Sequence, residues 1–126
     1  MNTENFIVVL CAVRILLGLA PMLAAGFSAR LLGFPDEHDN ATTRLMARLF
    51  GVRDIGLGVL GLSALFGPVP LAFAILFNLA TDLADAVMIG VPLFGRQGID
   101  RAAKTSLLFA ATGASAWAVS YFFIAF

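Results

Sequence analysis

The chain has 126 residues, of which 60% are hydrophobic and 13% are charged. Soluble domains are usually about 45–50% apolar and about 25% charged, so this composition excludes an ordinary soluble domain and indicates an integral membrane protein. Eight basic residues balance eight acidic ones, and no basic stripe points to a nucleic-acid partner. The one cysteine and one histidine exclude an internal disulfide and give no metal-ligand spacing, so we expect no metal or other cofactor.

Four apolar stretches are long enough to cross a membrane, for which an α-helix needs about 20 mostly apolar residues. The start MNTENF has no Lys or Arg before the apolar stretch, unlike a signal peptide, so we expect the first span to be retained. Short connections favour side-by-side packing of sequential helices, which predicts one all-α domain over residues 1–126, an up-down four-helix bundle. The predicted spans are 5–27, with an extension to 32 left open, then 41–66, 70–91 and 101–125.

Turn-forming residues separate the spans. The stretch GFPDEHDN follows the first span and offers Asp39 or Asn40 as the N-cap of the second. GPVP forms a tight turn before the third span, and Asp100 is a candidate cap for the fourth. Pro21 is expected to kink the first helix, because an interior proline loses a backbone hydrogen bond.

Lys and Arg predict the orientation, since membrane proteins keep these residues on the cytoplasmic side. The N-terminus, the GPVP turn and the C-terminus carry none. We therefore expect both termini outside and the first and third loops in the cytoplasm. The basic residues of the cytoplasmic side are Arg30, Arg44, Arg96, Arg101 and Lys104.

Small residues recur along two spans and indicate closely packed helices, because small side chains let membrane helices approach each other. The contact is either within one chain or between two copies, which leaves a homodimer open. The residues are Ser106, Ala110, Ala114 and Ala118 on the fourth span, and Ala47, Gly51, Gly56, Gly58 and Gly61 on the second.

Ionisable residues lie deep in these spans. Arg53 and Asp54, in the run GVRDIG, are about 12 residues from either end of the second span. A charge at that depth costs at least about 2.5–3.5 kcal/mol and must be paired or face a cavity. The first span adds Arg14, the second adds Arg48, and the third adds Asn78, Asp82 and Asp85 on one face, flanked by Thr81.

Helix geometry predicts how these charges pair. Arg53 and Asp54 point about 100° apart on the helix, so we expect them to reach different neighbours rather than each other. Counted from the GPVP turn, Arg53 lies level with Asp82 in an antiparallel hairpin. The predicted pairs are Arg53 with Asp82, Arg48 with Asp85, and Asp54 with Arg14 or Arg48.

Two interpretations of this polar set stay open. Three arginines against three aspartates could form a neutral network that only locks the helices together. However, helices are usually joined by one or two polar residues, and ionisable groups inside a membrane are functional candidates by default. Trp117 and Tyr121 either line a ligand pocket or belong to the interfacial aromatic belt. Cys11 is predicted to be a core residue.

The chain resembles the small four-helix membrane family DUF4267, a domain of unknown function. The motifs that carry the resemblance are Arg14 in the first helix, ARLLGFP at its end, GVRDIGLG on the second helix and DAVMIG on the third. A looser likeness is to DoxX-type proteins. The resemblance implies the four-helix fold and no reaction. It marks Gly51, Arg53, Asp54 and Asp85 as the positions of the site.

The favoured function is an enzyme that acts on a lipophilic small molecule from the bilayer. Two carboxylates in different environments can serve as acid and base, with Asp85 expected as the acid and Asp54 or Asp82 as the arginine-held partner. Isomerisation, cyclisation and epoxide opening need only such a pair. The alternatives are an accessory or binding subunit and a proton-coupled transporter. The residues expected to bind or orient the ligand are Arg14, Arg48, Arg53, Asn78, Thr81, Trp117 and Tyr121.

Overall fold

The computed structural model describes residues 2–94 and 100–125, which form α-helices and one turn of 3-10 helix without any strand. Four of the helices, α1, α3, α4 and α5, are long and apolar enough to cross a membrane. The predicted all-α bundle is confirmed, with α2 as an additional short helix. The helices are α1 (Thr3–Leu23), α2 (Ala25–Leu32), α3 (Ala41–Phe66), α4 (Leu71–Phe94) and α5 (Asp100–Ala125).

The helix boundaries follow the predicted signals closely. The side chain of Asn40 accepts a hydrogen bond from the backbone N–H of Thr43 at 2.9 Å, so Asn40 is the N-cap of α3 as predicted. The third predicted span corresponds to α4. This helix begins at Leu71 and extends to Phe94, three residues beyond the predicted end at position 91. Asp100 is the first residue of α5, and its side chain lies outside the described residues.

The first predicted span is interrupted. Pro21 stays within α1, and the chain leaves the helix three residues later at Ala24, where φ is −139° and ψ is 63°. The extension to residue 32 is therefore a separate helix, α2. It ends at Gly33, whose φ of 98° is left-handed and suits glycine, and the N–H of Phe34 bonds back to the carbonyl of Ala29 at 3.0 Å.

The bundle consists of two helix pairs. The long helices α1 and α3 pack tightly against each other, and so do α4 and α5, whereas α3 and α4 meet over a much smaller area. The prediction that helices adjacent in sequence pack side by side therefore holds within each of the two pairs. It overstates the contact between α3 and α4. The two pairs also meet where α5 contacts α1 and α2, again only sparsely.

Glycine brings α1 and α3 together. A Cβ atom at Gly18 would lie 2.5 Å from the backbone oxygen of Gly51, and one at Gly58 would lie 2.9 Å from the backbone oxygen of Cys11. Real side chains do not tolerate such distances, so glycine is required for this approach. The α3 glycines at 51, 58 and 61 are buried against α1, which confirms packing within the chain for them. Gly56 differs, since nothing lies within 4 Å of its Cβ position.

The apolar core lies toward the end of the bundle that holds the N-terminus. It is built from Ile7, Cys11, Ile75 and Trp117, with Tyr121 packed against it. Cys11 is a core residue, as predicted. Trp117 is only 2% exposed, so it does not belong to the interfacial belt. The position of its indole follows from the inward face of α5 rather than from membrane depth.

Candidate functional site

Arg14 and Asp82 form the most buried ion pair of the described residues. Two nitrogens of the Arg14 guanidinium donate to the two oxygens of Asp82, at 2.9 and 2.8 Å. Their side chains are 9% and 8% exposed. The pair joins α1 to α4 and so connects the two helix pairs. A bidentate geometry of this kind is the strong form of an arginine–carboxylate contact.

Arg53 and Asp85 form a second bidentate pair, at 3.1 and 2.7 Å. It joins α3 to α4, and it is less buried, with the Arg53 side chain 37% and the Asp85 side chain 23% exposed. The guanidinium carbon also lies 4.2 Å from the centre of the Phe50 ring, a cation–π contact.

The predicted pair Arg53–Asp82 is therefore wrong, and so is Arg48–Asp85. The helix bounds explain the first error. Arg53 precedes the last residue of α3, Phe66, by 13 residues, and Asp85 follows the first residue of α4, Leu71, by 14 residues, whereas Asp82 follows it by 11. Asp85 is thus the carboxylate level with Arg53, and Asp82 is bound from the other side by an arginine of α1.

Asp54 lies between the two pairs and is held loosely. Its Oδ1 atom is 3.4 Å from a nitrogen of Arg14 and 3.5 Å from a nitrogen of Arg53. Both distances exceed the usual 2.7–3.2 Å of an N–H···O hydrogen bond. The predicted contact of Asp54 with Arg14 is confirmed. The prediction that Arg53 and Asp54 do not contact each other is wrong, since they form a long contact.

Arg48 is exposed and lies outside the network. None of the ion pairs among the described residues includes it. The inward stripe of α3 runs through Gly51, Asp54 and Gly58, and Arg48 lies to one side of that stripe. The network therefore contains two arginines and three aspartates, not the balanced three and three.

Asn78 lies one turn before Asp82 on α4 and bonds to the backbone rather than to the charged side chains. It is fully buried, and its amide nitrogen donates to the backbone oxygens of Leu57 and Ala74 at 3.3 and 3.0 Å. These two acceptors fix the orientation of the amide, so Oδ1 points elsewhere and has no hydrogen-bond donor among the described residues. Thr81 only donates to the carbonyl of Phe77, at 2.9 Å.

Three further polar side-chain atoms are buried without a partner in the described part of the chain. They are Oγ of Ser28, on α2, and the Nε atoms of Arg14 and Arg53 within the network. Such an atom costs about 1–3 kcal/mol when nothing satisfies it. Within the network, the two Nε atoms are therefore donors without an acceptor among the described residues, and Asn78 Oδ1 is an acceptor without a donor.

Gly113 on α5 is a site residue that the sequence analysis missed. A Cβ atom there would lie 2.5 Å from Oδ2 of Asp82, so only glycine lets α5 cover this carboxylate. The signal was present, because a glycine at the level of intramembrane charges marks a close approach. Trp117 lies one turn further along α5, in the apolar core, and Tyr121 beyond it.

Away from the network, the outer side of α4 has a shallow groove. Its lining is apolar, and no residue of the charged network contributes to it. The groove is therefore a lipid-facing feature rather than part of the polar site. It is lined by Leu83, Ala86, Val87, Gly90, Val91 and Phe94.

A separate ion pair joins the loop before α3 to the first turn of that helix. The Arg44 guanidinium donates to both oxygens of Asp39, at 2.6 and 2.9 Å, and this hydrogen bonding holds the pKa of Asp39 below its ordinary value. His38, in the turn Asp36–His38, is exposed. Exposed pairs contribute little to stability, so this contact orders the loop without adding to the buried site.

No family model, curated protein or solved structure matches the chain. The resemblance to DUF4267 and the looser likeness to DoxX-type proteins therefore stay predictions. The function has to be argued from the buried network.

Proposed function

We propose that the protein is a membrane-embedded enzyme that acts on a lipophilic small molecule by carboxylate acid/base chemistry, with Asp54 as the acid. The observation that carries this proposal is the composition of the network, in which two guanidinium groups face three carboxyl groups. If all five groups were ionised, the network would hold one uncompensated negative charge. An unpaired charge at the centre of a bilayer costs at least about 2.5–3.5 kcal/mol, and one bound proton removes that cost.

The hydrogen bonds favour Asp54 as the carrier of the proton. Asp82 and Asp85 each accept two bonds from one arginine, the bidentate geometry of a strong arginine–carboxylate pair. Asp54 receives only the long contacts at 3.4 and 3.5 Å. We therefore assign the acid role to Asp54 rather than to Asp85, which takes the arginine-held role expected for Asp54 or Asp82.

The position of Asp54 between two arginines suits a carboxyl group that donates a proton and later takes it back. When Asp54 donates its proton, the carboxylate that remains is already next to the guanidinium groups of Arg14 and Arg53. Charge-stabilising groups that are in place before the proton moves lower the barrier for its transfer. Isomerisation, cyclisation and the opening of an epoxide by water all begin with such a protonation and return the proton to the acid at the end.

The unpartnered atoms support a role for the network in orienting a ligand. The Nε groups of Arg14 and Arg53 could donate to an oxygen, and Oδ1 of Asn78 could accept from a hydroxyl. A lipophilic molecule with one or two oxygen atoms matches this set, because its apolar body remains in an environment like the bilayer. Arg48, which is exposed on α3 and outside the network, has no part in this proposal.

We expect purified wild-type protein, incubated with a lipid extract of the cells that produce it, to convert one component into a product of equal mass or a product heavier by one water. Asp54→Asn should fail to do so, because an amide cannot donate and recover a proton. Liquid chromatography with mass spectrometry, run on paired samples, makes the comparison. Asp39→Asn, in the exposed loop, serves as the matched control and should retain conversion. Equal conversion by wild type and Asp54→Asn would remove Asp54 from the chemistry.

The same exchangeable proton favours a second candidate, a proton-coupled transporter. The two functions separate in one measurement, since an enzyme yields product in detergent, where there are no compartments. A transporter moves its ligand only across a sealed vesicle, and it leaves the chemical structure of the ligand unchanged.

We also propose that both chain termini lie outside and that the loop before α3 lies in the cytoplasm, because the basic residues concentrate at that end. In a Cys11→Ala background, a cysteine at His38 should react with a membrane-impermeant maleimide only after the cells are opened. A cysteine at Asn2 or at Pro68, in the turn between α3 and α4, should react in intact cells. The reverse pattern would invert the orientation.

A further inference from the structure

The ion pair Arg53–Asp85 is incompletely covered at a depth where membrane proteins cannot leave charge uncovered. Arg53 lies 12 residues after Ala41 and 13 before Phe66, about 18–20 Å from either end of α3 at 1.5 Å per residue. More than a third of its side chain is nevertheless exposed on the surface of the single chain, as is about a quarter of the Asp85 side chain. This surface is the seam between α3 and α4, where the two helix pairs meet only sparsely.

We propose that a second copy of this chain covers the α3–α4 seam, so that the protein is a homodimer whose interface completes the charged site. In a two-fold interface, a residue that contacts a partner residue is matched by the reverse contact. Arg53 and Asp85 are opposite charges on one seam. A two-fold axis beside the seam therefore brings the guanidinium of each copy toward the carboxylate of the other, and the seam is complementary to itself.

The shape of the seam fits this partner. Nothing lies within 4 Å of the Cβ position of Gly56, one turn from Arg53 on α3. On α4, Ala84 is exposed and directly precedes Asp85. Small residues on an outer surface allow a further helix to approach closely, and they flank charged groups that the approach would cover.

Depth argues against a lipid headgroup as the cover. Phosphate groups lie at the membrane surface, outside a hydrocarbon core about 30 Å thick, and Arg53 lies near the middle of its helix. An arginine near a helix end can extend its side chain toward the surface, but Arg53 is instead turned along the seam to Asp85 and onto the Phe50 ring. A transmembrane helix of a second copy reaches this depth along its whole length.

The test measures the oligomeric state in lipid. Wild type is reconstituted into vesicles over a range of dilutions, and single-molecule photobleaching counts the copies in each complex. We expect dimers, and we expect Gly56→Leu to raise the dissociation constant at least about tenfold, because the larger side chain holds the copies apart. Gly56→Leu should still fold, since its side chain enters open space in the single chain. Ala84→Leu tests the α4 side of the same seam.

Ala111→Leu is the matched control, because Ala111 is an exposed alanine near the middle of α5, outside the seam. It should leave the dissociation constant unchanged. Wild type that stays monomeric at all dilutions would overturn the proposal, and so would a dimer weakened by Ala111→Leu but not by Gly56→Leu or Ala84→Leu. Asp54→Asn, which removes the proposed acid, should leave the dimer intact. The test of the dimer is therefore independent of the test of the catalytic proposal.

Discussion

Arg14→Met is expected to destabilise the protein by about 3–5 kcal/mol, the usual cost of removing one partner of a buried ion pair. Arg14 neutralises Asp82 through two short hydrogen bonds and also contacts Asp54. Without it, three carboxyl groups share the single guanidinium of Arg53. Methionine keeps an apolar side chain as far as the position of Nε and lacks the guanidinium group, so the loss reports mainly on the missing charge and its hydrogen bonds. The melting temperature in detergent and the yield of folded protein in membranes give the measurement.

Arg48→Met is the matched control, because Arg48 is an arginine on α3 that is exposed and outside the network. Its melting temperature should stay within error of wild type. The double variant Arg14→Met with Asp82→Leu should recover much of the lost stability, since replacing a whole buried pair by apolar residues is often nearly neutral. If the melting temperature of Arg14→Met equals that of wild type, Arg14 is not the residue that holds the two helix pairs together.

The sequence predicts the helices well because one physical quantity decides them. A run of about 20 apolar residues is long enough to span the hydrocarbon, and breaks such as GPVP stop it, so α3 is predicted with both of its ends correct. The depth of a charge follows from the same count. This is why Arg14, Arg53, Asp54, Asp82 and Asp85 could be grouped before the structure.

A count of apolar residues does not predict which side of a helix faces the bundle, nor how the two helix pairs pack against each other. Arg48 is one residue away from Ala47 on the helix, and a turn of 100° moves it from the bundle to the outside. The pairing of Arg14 with Asp82 connects helices that are not neighbours in sequence. It depends on how two preformed pairs dock, and no local spacing encodes that. An error of three residues in depth was then enough to exchange Asp85 for Asp82 as the partner of Arg53.

Asp54→Asn is expected to leave the melting temperature unchanged, whereas Asp82→Asn should cost at least about 1.5–3 kcal/mol, as for hydrogen bonds to a charged group. Asn is nearly isosteric with a protonated aspartate and keeps a hydrogen-bond donor, so a proton-carrying Asp54 loses nothing structural by the change. Asp82→Asn removes the negative charge that faces Arg14 and one of the two acceptors at 2.8 and 2.9 Å, because an amide nitrogen cannot accept a hydrogen bond. Asp54 can then release its proton and compensate Arg14 only in part, because it lies at 3.4 Å.

Infrared spectroscopy at neutral pH adds a direct readout of the proton on Asp54. Wild type should show the carbonyl band of a protonated carboxyl group in a position shielded from water, and Asp54→Asn should lack it. Asp39→Asn changes a carboxylate in the exposed loop and should retain the band. If Asp54→Asn unfolds the protein, or if the wild-type band is absent, all three carboxyl groups are ionised. The network would then be a structural lock between the helix pairs, with its extra negative charge balanced from outside the chain.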